Sequence, residues 1–163
     1  MRENTGLDDI LKKCSSLMAK NGYGGTSMRD LAQATDRSLS GLYHYFINKE
    51  ELLYLINHRG FSHLFKSAEK IYRLDILPEE RLYGIISGHI HYFNLHKDEM
   101  RVMLLGTQGL DSKRGKTIAD LKDRYGARVQ QVVKQVFHAK VRTRLSSAEL
   151  SRKTFLLFGM MNW

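Results

Sequence analysis

The stretch SMRDLAQATDRSLSGLYHYFINKEEL, residues 27–52, contains three helix start signals in close succession. Ser27 is followed three residues later by Asp30, as in a capping box, and Ser38 and Asn48 each precede a further helical run. The run ATDR between the first two signals cannot extend a helix well. We therefore predict two short helices joined by a tight turn, and a third helix after Asn48, which is a helix-turn-helix arrangement.

The second short helix has an apolar face and a polar face. Leu42, Tyr45 and Phe46 are spaced i, i+3, i+4, so we expect them to pack against the first helix of the chain. A helix with one face held in this way presents its other face to a partner. That other face carries Ser40, Tyr43 and His44, with Leu39 at its margin.

A helix pair of this size is typical of DNA-binding proteins, in which the second helix enters the major groove. Gly41 costs about 1 kcal/mol relative to alanine in a helix, but it lets the backbone approach a bulky partner closely. Asn48 caps the third helix with Glu51 at its N3 position, so the free amides there and Lys49 form an anion site suited to a DNA phosphate. DNA is thus the partner expected for this segment.

Helical periodicity continues along most of the chain, and a single proline argues against an all-β plan dense in turns. We predict an all-α fold. The run GLDSKRG is interpreted as a loop. Beyond the opening stretch, the predicted helices cover residues 7–18, 49–74, 78–96, 98–107 and 116–139, and a last helix begins after Ser146 or Ser147.

Composition limits the class of protein. A chain of 163 residues fits one or two small domains, and no run approaches the ~18 apolar residues of a membrane span. The N-terminus lacks the apolar core of a secretory signal, so we expect a cytoplasmic protein. Cys14 lies in a periodic run beside Leu11 and Met18, which predicts a buried thiol without chemistry.

The positive charge is concentrated in the second half of the chain. The formal net charge is +9, with 8 basic and 7 acidic residues in 1–60 but 18 and 10 in 61–163. Residues 101–144 hold 11 basic and 3 acidic side chains. Two interpretations stay open at this point: an anionic partner of this segment, or a solvated helical face that keeps the protein soluble.

Enzyme signatures are not found in the sequence. It has no Gly-rich phosphate loop, no Gly-x-Ser-x-Gly elbow and no His-Glu-x-x-His, and His89 and His91 point different ways on a predicted helix. We predict no catalytic residue, no metal site and no cofactor. A helical adaptor that binds only protein remains an alternative, although it would not explain the clustered caps around Tyr43 and His44.

The segment GYGGTSMRDLAQATDRSLSGLYHYFINKEEL resembles the DNA-binding region of the tetracycline-repressor (TetR) family of bacterial transcription regulators, over about residues 7–56. The resemblance implies an all-α homodimer with a DNA-binding domain at 1–53 and a helical ligand-binding and dimerisation domain at 54–163. It also implies a transcriptional regulator that binds double-stranded operator DNA, and a repressor is the form we expect. A small hydrophobic or acyl-CoA effector would release it from the operator.

Carried over by position, the resemblance assigns site residues in this chain. Ser38 begins the recognition helix, and the turn before it departs from the family's usual Ala-Gly-Val-Ser. Asp36 is tolerable there in a left-handed conformation, and Arg37 is expected to turn outward or reach a phosphate. The implied phosphate contacts are Ser27, Arg29, Tyr43 and Lys49, and the implied groove-facing residues are Leu39, Ser40, Gly41 and His44.

The run FGMMNW at residues 158–163 is similar to a segment of the family's fatty-acid-degradation regulators, whose effectors are acyl-CoA thioesters. Ordinary core packing of the aromatics and methionines is the alternative. The apolar run 155–163 ends without a cap, so we expect either a chain that has been cut off or packing against another subunit. The similarity implies an acyl tunnel lined by Phe93, Tyr125, Phe158 and Met160, and phosphate partners among Arg101, Lys113, Arg114 and Arg128.

Overall fold

The structure, a computed structural model, describes residues 3–104, 109–142 and 144–162. Within these ranges it contains helices and turns but no strand, which confirms the all-α prediction. None of the described helices is long and apolar enough to cross a membrane. The helices are α1 (Glu3–Asn21), α2 (Met28–Ala34), α3 (Leu39–Tyr43), α4 (Lys49–Tyr72), α5 (Pro78–Leu95), α6 (Lys97–Leu104), α7 (Ser112–Val136) and α8 (Ser147–Met161).

Most predicted helix ends are confirmed, and each has a local cause. After α1, Gly22 adopts a φ of 77°, the left-handed conformation that glycine accepts at a helix C-terminus. At the start of α8, Ser146 accepts a hydrogen bond from the amide of Glu149, whose carboxylate accepts one from the amide of Ser146. The predicted extension of α6 to residue 107 lies outside the described residues.

The predicted loop at 109–115 is wrong in its second half, because α7 begins at Ser112. The carboxylate of Asp111 accepts a hydrogen bond of 2.7 Å from the amide of Arg114, and the carbonyl of Asp111 accepts one of 2.8 Å from Gly115. This cap provides hydrogen-bond acceptors for amides of the first turn, and it offsets the loss of helix stability that Gly115 causes. At its other end, α7 gives way to a π-helical segment, Phe137–Val141.

The chain divides into two compact units. The first unit comprises Met1–Gly60 and His96–Ile118, and the second comprises Phe61–Leu95 and Ala119–Trp163, so α4 and α7 contribute to both. The domain boundary expected after residue 53 stays a prediction. The division also shows that α6 and the start of α7 belong to the same unit as the N-terminal helices.

In the first unit, α1 packs against α2 and α6, and α2 packs against α3. Cys14 is fully buried in this core, and burial raises the pKa of its thiol to about 12, so the side chain stays a neutral thiol. A side-chain methyl at Gly60 would overlap Met103, which shows how closely α4 and α6 approach. The main buried apolar side chains are Ile10, Leu11, Met18, Leu31, Leu42, Phe46, Leu52, Ile56 and Val102.

In the second unit, α5 packs against α8. Ile85, His89 and Tyr92 lie buried on one face of α5, at the spacing of successive helical turns. The core from α7 is formed by Tyr125, Val129, Val132 and Val133.

Candidate functional site

Two side-chain caps shape the helix-turn-helix. The hydroxyl of Ser27 accepts a hydrogen bond of 3.2 Å from the amide of Asp30, and the Asp30 carboxylate accepts one of 2.8 Å from the amide of Ser27. The hydroxyl of Ser38 accepts a hydrogen bond of 3.0 Å from the amide of Gly41. The predicted starts of α2 and α3 are therefore confirmed, and each cap satisfies a free amide in the first turn of its helix.

The turn between α2 and α3 relies on a residue with positive φ. Asp36 has a φ of 56°, as the sequence predicted, and its carboxylate lies 3.2 Å from the ammonium of Lys13 on α1. The guanidinium of Arg37 lies 4.8 Å from the ring centroid of Tyr45. Arg37 is exposed, which agrees with the outward direction expected for it, and it lies over an aromatic ring; its contact with a phosphate stays a prediction.

The short helix α3 has the two faces that the sequence predicted. Leu42 is buried on α3. The helix ends at Tyr43, earlier than the predicted spacing implied, and Phe46 is buried and Tyr45 half-buried in the turn that follows, so one side of this segment is held in the core. On the other side Ser40, Tyr43 and His44 are exposed, while Leu39 and Gly41 are half-buried. We call residues Leu39, Ser40, Gly41, Tyr43 and His44 the recognition surface. Three further DNA-binding candidates are also exposed: Ser27, which caps α2, Arg29 in α2, and Ser38, which caps α3.

Lys49 is engaged within the protein. Its ammonium donates hydrogen bonds of 2.5 Å to the carbonyl of Tyr23 and 2.8 Å to that of Thr26, and it lies 4.4 Å from the ring centroid of Tyr23. Two of its three donors thus hold the connection between α1 and α2. Asn48 caps α4 as predicted, with a 2.8 Å bond from the Glu51 amide. The phosphate contact of Lys49 stays a prediction that rests on the remaining donor.

Next to Lys49, Glu50 binds the start of α7 within the first unit. Its carboxylate accepts hydrogen bonds of 2.8 Å from the amide of Asp111 and 3.2 Å from the guanidinium of Arg114. Arg114, expected as a phosphate partner, also lies 3.6 Å from the Asp111 carboxylate. Its charge is therefore compensated by two acidic side chains.

In the second unit, a buried polar cluster surrounds His89. The ring of His89 lies 2.9 Å from the hydroxyl of Tyr125 through Nδ1 and 3.2 Å from the amide oxygen of Asn162 through Nε2. The amide nitrogen of Asn162 donates to the carbonyl of Phe158, which fixes the amide orientation. Nε2 therefore donates to Asn162, and in the neutral imidazole that burial favours, Nδ1 accepts from the hydroxyl of Tyr125.

Burial sets the protonation of this cluster. It lowers the pKa of His89, while the hydrogen bond to Asn162 acts in the opposite direction, and it raises the pKa of Tyr125. Phe158 packs edge-on against Tyr125, with ring centroids 5.5 Å apart. The result is a neutral, partly aromatic polar site between α5, α7 and α8.

The predicted ligand residues are only partly brought together. Tyr125 and Phe158 are in contact, whereas Phe93 is half-buried and Met160 is exposed. Arg101 belongs to the first unit and lies 3.8 Å from Asp98. Arg128, in the second unit, forms an ion pair with Glu69.

Sequence reasoning missed His89 and Asn162 as members of this cluster. It had treated His89 only as a possible metal ligand. The spacing of His89 with the apolar Ile85 and the aromatic Tyr92 on one face of α5 was the available signal for burial. Asn162 lies 73 residues from His89 and carried no local signal.

Two family models match this chain. Residues 10–56 match the model of bacterial regulatory proteins of the tetR family, and residues 75–163 match that of the tetracyclin repressor-like C-terminal domain. The second match alone spans more than half of the chain. The chain belongs to the TetR family. The resemblance found in the sequence is thereby confirmed.

Individual TetR-family proteins are similar at modest identity. The transcriptional repressor KstR2 of Mycobacterium tuberculosis is 24% identical over 110 residues, which cover 68% of this chain and 55% of KstR2. The chain thus spans about half the length of the curated relatives it matches. These relatives are transcriptional regulators by name.

Solved structures share the fold over nearly the whole chain. The TetR-family regulator PfmR from Thermus thermophilus is 28% identical with a TM-score of 0.84, covering 94% of this chain and 82% of PfmR. AibR, solved in complex with isovaleryl coenzyme A and operator DNA, is 23% identical with a TM-score of 0.77, covering 97% and 84% of the two chains. The likeness to AibR is one of fold.

Proposed function

We propose that this TetR-family chain is a homodimeric, ligand-responsive transcriptional regulator that binds operator DNA and represses transcription. The observation that carries the proposal is the recognition surface. It is exposed on a helix that is held in the core by Leu42 and, just beyond its C-terminus, by Phe46, within a helix-turn-helix that matches the family model. The protein then acts in the bacterial cytoplasm, where the DNA is, and it catalyses no reaction.

The proposed mechanism is a shift between two states. In the state that binds DNA, two recognition helices of a dimer lie about one helical turn apart, roughly 34 to 36 Å, and ligand favours a spacing that no longer fits. The long helix α4 is the lever in this proposal. It begins next to the recognition helix at Lys49 and ends in the second unit at Tyr72.

The proposed effector is a small hydrophobic compound or an acyl-CoA. Support comes from the neutral cluster of His89, Tyr125 and Asn162, which places a few directed polar groups among apolar and aromatic side chains. The excess of basic side chains in residues 101–144 favours a phosphorylated effector. AibR, which shares the fold, has been solved in complex with isovaleryl coenzyme A and operator DNA, and it is thus a precedent for an acyl-CoA ligand in this fold.

The experiment is a selection of duplexes from a random DNA pool, followed by titration of the enriched duplex. We expect a near-palindromic site, and an acyl-CoA that raises the apparent dissociation constant by roughly 5- to 150-fold, with free fatty acid and coenzyme A as controls. A protein-binding adaptor would enrich no duplex, and that result would overturn the proposal. Release by an uncharged hydrophobic compound alone would keep the regulator but exclude acyl-CoA.

A further inference from the structure

A cleft of about 510 Å³ on the second unit is strongly basic. It runs between the later turns of α4 and the middle of α7, and an adjoining cleft of about 340 Å³ extends it along α7 past Arg128. Both lie wholly within the second unit. We call the larger one the basic cleft, and its lining residues are Phe65, Lys66, Glu69, Lys70, Arg73 and Arg124.

The charge of the basic cleft is far from balanced. Four of its six lining residues are basic and one, Glu69, is acidic. The Glu69 carboxylate is already paired with Arg128, and it lies 3.7 Å from Arg73. Among the residues that the structure describes, no carboxylate lies within ion-pair distance of Lys66, Lys70 or Arg124. The cleft therefore has positive charge available for an anion.

Aromatic rings hold the arginines of the two clefts in place. The guanidinium of Arg124 lies 4.4 Å from the ring centroid of Phe65, and that of Arg128 lies 3.9 Å from the centroid of Tyr72. Arg128 already donates hydrogen bonds to Glu69 and Gln131, so Arg124 is the arginine whose donors can face a ligand, and its contact with Phe65 restricts the side chain before binding. A stacked guanidinium is suited to bidentate binding of phosphate oxygens.

We infer that the basic cleft binds the phosphate groups of an organic polyphosphate, such as the diphosphate of a coenzyme A effector. The inference rests on the proposed function for the role of the ligand as an effector. A concave site with several cations beside one aromatic ring, Phe65, fits a compact ligand with two or more phosphates better than a duplex backbone, which needs a longer row of contacts. It assigns phosphate binding to Lys66, Lys70 and Arg124 rather than to Arg101 or Arg114.

The test is calorimetric titration of the whole chain with coenzyme A, inorganic pyrophosphate and pantetheine, which lacks the diphosphate. The variant is Arg124→Gln and the matched control is Arg152→Gln, an exposed arginine on α8 in the same unit. We expect saturable binding of coenzyme A that weakens at high salt and that Arg124→Gln lowers about 10-fold or more. Pantetheine should not bind, and Arg152→Gln should bind as the wild type does.

The two phosphate sources separate in the same titrations. If coenzyme A binds and pyrophosphate does not, the ligand is an organic cofactor. If the two compounds bind equally well, phosphate alone is recognised. Both outcomes support the site. Lys70→Gln, on exposed α4 surface, gives a second variant that cannot act through packing, and it should weaken binding in the same direction.

Three outcomes would overturn the inference. They are no binding of either phosphate compound, equal loss in Arg124→Gln and Arg152→Gln, or an Arg124-dependent interaction seen only with duplex DNA. Duplex binding without ligand, measured on the same samples, keeps this result separate from the proposed function. If DNA is bound and coenzyme A is not, only the cleft assignment fails; if coenzyme A is bound and no duplex is, only the regulator proposal fails.

Discussion

The guanidinium of Arg114 lies 3.2 Å from the carboxylate of Glu50, and this pair joins the first turn of α7 to the first turn of α4. Glu50 directly follows Lys49, whose ammonium holds the connection between α1 and α2. The start of α4 is therefore fixed from two sides, by the α1–α2 connection and by α7. In the proposed regulator, this junction at the start of α4 helps to hold the recognition helix in position.

We predict a measurable coupling between Arg114 and Glu50. Both side chains are largely shielded, with 25% and 28% of their surface exposed, so a double-mutant cycle with Arg114→Ala and Glu50→Ala should give about 0.5 to 1 kcal/mol in the free energy of unfolding. The control pair is Arg101 and Asp98, 3.8 Å apart and 68% and 40% exposed, where we expect almost none. Equal coupling in the two pairs, from urea unfolding, would refute this role.

The left-handed turn at Asp36 gives a second prediction. Asp36→Val should lower the free energy of unfolding by about 1 to 2 kcal/mol, because a β-branched side chain is strained at positive φ, whereas Asp36→Gly should be at least as stable as the wild type. Asp36→Asn is the matched control, since it removes the charge that faces Lys13 but tolerates the conformation. A loss in Asp36→Asn as large as that in Asp36→Val would assign the effect to the ion pair instead.

The third prediction concerns pH. Burial lowers the pKa of His89 in the folded state, so below the unfolded value of about 6.5 the unfolded chain binds more protons. The free energy of unfolding should therefore fall as the pH decreases from about 6.5 through the lowered folded pKa. Urea unfolding over a pH series should show this slope reduced in His89→Gln and retained in His91→Gln, whose histidine is exposed on the same helix. An unchanged slope in His89→Gln would exclude His89 as its source.

The fourth prediction concerns assembly. Phe155, Leu156 and Met160 are exposed on α8, a patch that the proposed homodimer would cover. We expect Phe155→Glu to shift the protein towards monomer in sedimentation experiments. Tyr83→Glu is the control, because Tyr83 is exposed to a similar degree, 75% against 78% for Phe155. A wild-type monomer, or a dimer unaffected by Phe155→Glu, would contradict this interface.

Features set by neighbouring residues were predictable from the sequence. Such features depend on partners within a few residues, so spacing alone indicates them. They are the caps at Ser27, Ser38 and Asn48, the left-handed Asp36 and the two faces of α3. The start of α7 is local as well. The sequence did not indicate it because Gly115 made the segment resemble a loop. In the structure, the cap at Asp111 stabilises the first turn of α7 despite this glycine.

Contacts between distant residues could not be predicted in the same way. Lys49 binds a carbonyl 26 residues away, Arg114 pairs with Glu50 across 64 residues, and His89 meets Asn162 across 73. Each depends on how helices pack, and a single sequence does not encode that packing in any local pattern. The exposure of Ser40, Tyr43 and His44 could therefore be predicted from sequence, and their contact with DNA stays a prediction, whereas the polar cluster in the second unit could not be predicted.

The most direct test of the central claim is a titration of wild type, Tyr43→Ala and His44→Ala against the selected duplex and a scrambled duplex at fixed salt. Tyr43→Ala should weaken binding to both duplexes by a similar factor, because a phosphate contact reads no bases. His44→Ala should weaken the selected duplex more, by about 1 kcal/mol or roughly fivefold, and alter sequence preference. Tyr83→Ala, an exposed tyrosine in the second unit, should match the wild type. If Tyr43→Ala and His44→Ala both stay within about twofold of the wild type on the selected duplex, α3 is not the recognition helix.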